Sequence, residues 1–348
     1  MRAAVFTAPG RKLAIAEVAD PRPGPDEMVL RVRACGICGS DLHMSEVHDA
    51  SGGMKPLPAG AVMGHEFCGE IVELGGNARG KWRVGQRATA LPLIGCGACA
   101  ACLTGIAHRC AQVQYAGMGG MTGAYADYVR VASQETLALP DGVSWEAGAM
   151  VEPLAVGLHA VEAARLQPGD AVLVVGAGPV GLAVALWCRQ FGARHAIVSD
   201  LAPERLALAA RCGATDAIDA GRENVVERFK RSAGSRPDVV FDCVGVPGSQ
   251  QLAMDYAPTN GRIVVAGVCM QPDRILPVKA VTKELTVSYV YMYGRKDFAL
   301  AIEMIDRGRI DPAAMLTGQV GFAGFPDAFD RLRTDKAQCK VLLRPDLA

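Results

Sequence analysis

Val172-Leu173-Val174-Val175-Gly176-Ala177-Gly178-Pro179-Val180-Gly181 is an unbroken apolar run that ends in glycines spaced G-x-G-x-x-G. Consecutive aliphatic residues of this kind read as a strand buried on both faces, and Leu182 to Gln190 beyond it reads as a helix. A lone G-x-G-x-x-G is weak. Here a preceding strand, a following helix, a second strand from Ala196 to Ser199 and an acidic residue at its end, Asp200, complete the context of a dinucleotide site. Gly176, Gly178 and Gly181, with Pro179 and Val180 opening the helix, let a pyrophosphate approach the backbone and the helix N-terminus, while Asp200 is placed to bind the adenosine ribose hydroxyls. A carboxylate there repels the extra phosphate of NADP, so NAD is the expected cofactor.

Outward from this turn, the texture from Glu146 onward is Ala- and Leu-rich, with helical periodicity in Trp145–Met150 and Leu158–Ala163. Apolar strands at Ala171–Val175, Ala196–Ser199, Val239–Phe241 and Arg262–Ala266 alternate with helices such as Pro203–Arg211. Such alternation predicts a parallel sheet covered by helices on both faces. Residues 1 to about 150 differ, with short apolar runs at Val29–Val32, Glu70–Leu74 and Tyr125–Val129 broken by Gly and Pro, a β-rich pattern with functional loops. The segment Ser45–Pro58, with Gly52-Gly53, is expected to be a surface loop near a metal site. After Val287 the pattern is mixed, with a helix around Phe298–Arg307 and a closing run Lys340–Leu343. The fold class is α/β.

With 348 residues, half of them hydrophobic, the chain has material for two domains. Lys plus Arg equals Asp plus Glu at 36 each, so no net field points to nucleic acid or an anionic membrane, and the expected partner is a small molecule. Met1–Phe6 enters a strand-like pattern without a leader, and no apolar run approaches the roughly 20 residues a membrane span needs, so a cytoplasmic protein is expected.

Twelve cysteines in a chain this long fit metal binding in a reducing compartment better than a disulfide scaffold. Cys96, Cys99, Cys102 and Cys110 form C-x2-C-x2-C-x7-C, which lets one loop wrap four thiolates around a structural zinc and leaves no position for substrate. His108 lies inside that loop as a spectator. A second set, Cys38, His65, Glu66 and Glu152, mixes soft and hard ligands from distant segments and can keep a position open, as a catalytic zinc requires. Singly, Cys38 reads as a small buried hydrophobe, His65 as a core histidine, Glu66 as a surface carboxylate and Glu152 as a first-turn helix charge. The combination carries the metal reading.

Five stretches together resemble the zinc-dependent medium-chain dehydrogenase/reductase family of alcohol, sorbitol, threonine and butanediol dehydrogenases: Gly36–His43, Gly64–Val72, the four-cysteine loop, Val151–Leu154 and the glycine turn. The resemblance covers nearly the whole chain. It implies a GroES-like catalytic domain over residues 1–151, a Rossmann NAD-binding domain over 152–289, a return to the catalytic domain over 290–348, and an active site in the cleft between domains. It implies two zinc ions per chain, with Cys38, His65, Glu66 and Glu152 at the catalytic one, where Glu152 either ligates or stands behind a bound water. Asp41 would orient His65, and Ser40 and His43 would relay the proton of an alcohol whose hydride goes to NAD. Arg205 would pack at the adenine end, and Ala266, Gly267 and Val268 beside the nicotinamide. Where sorbitol dehydrogenases carry an Arg-Tyr pair, an ungapped match gives Met292-Tyr293, which points from polyols towards a less polar secondary alcohol or vicinal diol, oxidised to a ketone by a homodimer or homotetramer; Tyr293-Gly294-Arg295 pairs instead with a similar triplet in threonine dehydrogenases, and a polyol or threonine dehydrogenase is the alternative that the resemblance leaves open. A non-catalytic dinucleotide-binding protein and a zinc-free reductase are the rival readings; the intact ligand set and relay oppose both.

Overall fold

The computed structural model describes residues 1–50, 55–78, 80–118 and 120–347. Gly52-Gly53 of the expected surface loop lie outside the described residues. The chain forms two compact units, Met1–Glu152 with Tyr293–Ala348, and Pro153–Met292.

The second unit holds a six-stranded parallel sheet in the order Asp216–Asp219, His195–Asp200, Ala171–Val175, Val239–Asp242, Arg262–Val265, Thr286–Tyr289. In chain order this is 3-2-1-4-5-6, the doubly wound arrangement that leaves a crevice at the carboxyl ends where the order reverses, between Ala171–Val175 and Val239–Asp242. The glycine turn leaves the first of those two strands. Ala171–Val174 are fully buried, as expected of a strand with helices on both faces. On one face Leu173, Ile197, Val240 and Ile263 meet Phe229, Ala253 and Met254 from the helices Val225–Ala233 and Ser249–Tyr256. Neither helix nor the outer strands Asp216–Asp219 and Thr286–Tyr289 stood out in the sequence. Both strands lie at the sheet's edges, and Asp216-Ala217-Ile218-Asp219 offers only Ile218 to the core.

The first unit is built on Glu27–Gly36, which pairs antiparallel with Glu66–Leu74, with Tyr128–Ala132 and, at its end, with Lys340–Leu343. The run Tyr125–Val129 begins its ladder only at Tyr128, because Ala126 instead bridges Ala3 of the first strand. Register places Gly36 opposite both Glu66 and Leu342, so three strand ends converge where Ile37 and Cys38 leave the sheet. A Cβ at Gly36 would lie 2.1 Å from Glu66 Oε2; only glycine lets that carboxylate pass. Cys38 caps the six-residue helix Gly39–Met44, in which Asp41 closes a capping box by accepting from the Cys38 N–H.

Candidate functional site

The strand ends bring together Cys38, His65 and Glu66, whose donor atoms all lie within 4.8 Å of one another. His65 Nδ1 faces Asp41 Oδ1 at 3.2 Å, so this nitrogen carries the proton and Nε2 is left to a metal. Asp41 is buried; burial raises its proton affinity, but the His65 charge and the bonds from His65, Tyr125 and Cys38 outweigh it, and the carboxyl sits below its ordinary range. For His65, burial lowers the affinity and the Asp41 and Cys38 charges raise it further, leaving a strongly basic ring. A cation in the cluster would take the place of that proton.

Glu66 is 1% exposed and both its oxygens accept from Lys340 Nζ, at 2.6 and 2.5 Å. Lys340 is fully buried, donates also to the Ile37 carbonyl at 2.9 Å, and was not singled out from the sequence. The available signal was a lone charge in the closing strand Lys340-Val341-Leu342-Leu343, which a buried strand must neutralise. Burial depresses the lysine's affinity, the Glu66 charge restores it, and the net shift is upward.

Glu152 stands outside the three-residue cluster. Its Oε1 accepts from Tyr293 Oη at 2.5 Å, and both residues are buried. Burial, with the Glu66 charge adding to it and His65 opposing, pushes this carboxyl up to about 7. A buried carboxylate so short of positive charge, beside a thiol, an imidazole with a directed lone pair and a second carboxylate, fits a divalent ion with mixed N/S/O preference such as zinc. Ser40 Oγ lies 3.5 Å from His65 Nε2, on the metal side of the ring. His43 is exposed one turn further along the same helix.

Cys96, Cys99, Cys102 and Cys110 also gather their sulfurs within 4.8 Å. Cys99 and Cys102 sulfurs are 3.6 Å apart, far beyond a disulfide bond and close to the ~3.8 Å edge of a tetrahedron with Zn–S near 2.3 Å. Backbone N–H groups of Cys99, Cys96 and Gln112 point at the sulfurs of Cys96, Cys110 and Cys110 in turn, and the N–H groups of Ala98 and Cys99 hold the Cys96 thiol down at about 6. His108 is not in the cluster; its carbonyl accepts from Tyr115 Oη at 2.9 Å.

In the second unit Gly176 has φ +100°, and a Cβ at Gly181 would stand 1.9 Å from the Gly176 carbonyl, so strand and helix meet as closely as the backbone allows. At Gly178 a Cβ would meet nothing within 4 Å: open space lies at the N-terminus of the helix Pro179–Gln190, where a pyrophosphate fits. Asp200 accepts from the N–H groups of Ala177 at 2.7 Å and Ala202 at 2.8 Å, which fixes its carboxylate beside the turn. Arg205 lies on the next helix with its buried Nε lacking a hydrogen-bond partner among the described residues. Ala266 and Gly267 donate to the Asp242 carbonyl at 2.9 and 2.8 Å, which holds Ala266–Val268 at the carboxyl end of Arg262–Val265.

Residues 24–141 match the sequence model of the alcohol dehydrogenase GroES-like domain, and residues 179–307 that of zinc-binding dehydrogenases. The chain is 31% identical to a sorbitol dehydrogenase of Bacillus subtilis (strain 168), over 97% of this chain and 95% of that one. Among solved structures, 2R,3R-butanediol dehydrogenase from Bacillus subtilis superposes with a TM-score of 0.87 at 31% identity, covering 99% of each chain. A Sinorhizobium meliloti 1021 protein solved with NADP bound gives 0.88 at 29% identity, again covering 99% of each.

Proposed function

We propose, since the chain belongs to the zinc-dependent medium-chain dehydrogenase/reductase family, that it is an NAD-dependent enzyme that oxidises a secondary alcohol or vicinal diol to a ketone. It is an oxidoreductase of the dehydrogenase type, acting on CH–OH groups. The observation that carries the finer reading is the cluster of Cys38, His65 and Glu66, with the imidazole aimed by Asp41.

When bound, zinc supplies Lewis-acid polarisation of the alcohol oxygen and NAD supplies the hydride acceptor. Cys38 and His65 hold the metal, with Glu66 and Glu152 as the further ligand candidates, and Asp41 keeps the His65 proton on Nδ1. Ser40 Oγ, on the metal side of the His65 ring, would accept the hydroxyl proton while giving up its own, which the cofactor ribose and exposed His43 would pass to solvent. Gly176, Gly178, Pro179, Val180 and Gly181 receive the pyrophosphate, Asp200 the ribose hydroxyls, and Arg205 and Ala266–Val268 the two ends of the cofactor. The four-cysteine loop holds the second zinc.

The Tyr293 hydroxyl is committed to Glu152 and its neighbour is an uncharged methionine, which supports a less polar substrate over a polyol or threonine. The likeness to a protein solved with NADP bound supports NADP as the second cofactor reading; the fixed Asp200 carboxylate supports NAD. A cytoplasmic setting is our reading from the cysteines grouped as metal ligands, which suit a reducing compartment; among the described residues, no helix is long and apolar enough to cross a membrane. Thr286–Tyr289 ends the sheet and carries exposed Tyr289, with Val278 and Val281 exposed on the helix before it; an open edge with apolar neighbours supports a homodimer or homotetramer.

Initial rates of NADH formation by the zinc-loaded protein, across secondary alcohols, vicinal diols, polyols and threonine, test the reading. The leading substrate is expected to be a secondary alcohol or vicinal diol, with kcat/KM for NAD at least about tenfold above NADP, roughly 1.4 kcal/mol. A polyol or threonine in the lead refutes the substrate assignment. Silence across the panel with NAD still bound favours the non-catalytic reading.

A further inference from the structure

We propose that Tyr125 is a positioning residue of the metal centre: its hydroxyl locks the Asp41 carboxylate and, through it, both the His65 imidazole and the Cys38 backbone in a metal-ready arrangement. This rests on the reading that Cys38 and His65 hold a metal ion.

Tyr125 Oη donates to Asp41 Oδ2 at 2.5 Å and lies 3.2 Å from the Gly36 carbonyl. A phenol has one proton to give, and the nearer, charged acceptor takes it. Asp41 then has both oxygens engaged, Oδ1 by His65 Nδ1 at 3.2 Å and Oδ2 by Tyr125 and, more loosely, by the Cys38 N–H at 3.3 Å. Without the hydroxyl, Oδ2 keeps only that long contact, and the carboxylate is free to swing about its side-chain torsions and carry the imidazole with it. A buried polar network of this kind is rigid only when every member is satisfied.

The ring is fixed independently of the hydroxyl. Tyr125 is fully buried, packed on Phe325 at 4.7 Å and edge-on to Phe329 at 6.2 Å between centroids. Its N–H donates to the Met63 carbonyl at 2.9 Å, and its carbonyl accepts from Ala4 at 2.8 Å. The residue before His65 is Gly64, at φ +97°, where a Cβ would stand 2.6 Å from the Tyr125 ring. The ring therefore packs directly against the turn that delivers His65. A phenylalanine would fill the same space, so the core has no use for the hydroxyl; the Asp41 contact does.

The test is metal release from full-length protein loaded with cobalt, followed by absorption in excess chelator, with Cys38→Ala protein reporting the signal of the four-cysteine loop alone. Tyr125→Phe is expected to speed release from the Cys38 centre by about 10- to 100-fold, the usual worth of a group that orients a ligand, and to shift the cobalt ligand-field band. Phe329→Leu, which loosens packing beside the ring but keeps the hydroxyl, is expected to lower Tm and leave both readouts in place. The proposal is overturned if Tyr125→Phe releases cobalt within about twofold of wild type, or if Phe329→Leu accelerates release as much. Wild-type protein that holds no cobalt at the Cys38 centre overturns both this inference and the reading beneath it; wild type that holds it, with Tyr125→Phe unchanged, overturns the inference alone.

Discussion

Cys38→Ala protein is expected to bind one metal equivalent fewer per chain than wild type and to lose at least about 10³ of its turnover, the several kcal/mol that Lewis-acid stabilisation contributes. Cys38 is the one thiol in its cluster, whose other donors are an imidazole held by Asp41 and the Glu66 carboxylate held by Lys340, with the Glu152 carboxylate, held by Tyr293, outside it. Taking away the soft donor leaves a set that suits harder cations and grips zinc weakly. The fold should survive, because Cys38 lies at a helix cap where alanine removes little packing and the Asp41 bond to the residue's backbone persists. Metal analysis by atomic emission, alongside initial rates on the best substrate, checks both halves. Full activity with a full metal complement would remove Cys38 from the centre.

Lys340→Met protein is expected to be destabilised by about 3–5 kcal/mol in the metal-free state, since it strands the Glu66 carboxylate in a fully buried position. Lys340 is 0% exposed and Glu66 1%, so no solvent reaches the orphaned charge. The cost should be specific to the pair: Lys340→Met with Glu66→Gln should recover most of it, because no charge is then left uncompensated. Zinc should also recover part of it, by giving Glu66 another positive partner. Urea denaturation of the single and double variants, with and without zinc, measures these differences; equal destabilisation in single and double variants would show that the lysine acts through packing alone.

The parts of this molecule that could be read from the chain are those whose partners lie close in sequence. Four thiols between Cys96 and Cys110 need only one loop to meet, and the glycine turn, its strand and its helix form a continuous segment, so spacing carried both. Asp41 was reached because it lies beside Cys38 and His65 in motifs that travel together. The contacts that set the electrostatics of the centre escaped because they join distant segments: Lys340 to Glu66 spans 274 positions, Tyr293 to Glu152 141, and Tyr125 to Asp41 84. Periodicity shows that a residue faces a core, not which polar group waits there. Tyr125 reads as part of an apolar run and Tyr293 as half of a pair that bears on substrate; their hydroxyls acquire their meaning only when the fold places the helix carboxylates of Asp41 and Glu152 opposite them. The edge strand Thr286–Tyr289 was missed for a related reason: half-buried on an open sheet edge, it lacks the continuous apolar signature of the strands inside.

Alcohol oxidation is expected to depend on a metal held at Cys38 and His65. The most direct test of that dependence is the rate of NADH formation by one preparation of wild-type protein before metal removal, after it, and after readdition of zinc, on the best alcohol from the panel. Turnover should vanish with the metal and return with zinc; undiminished turnover in protein shown to be metal-free would contradict the account.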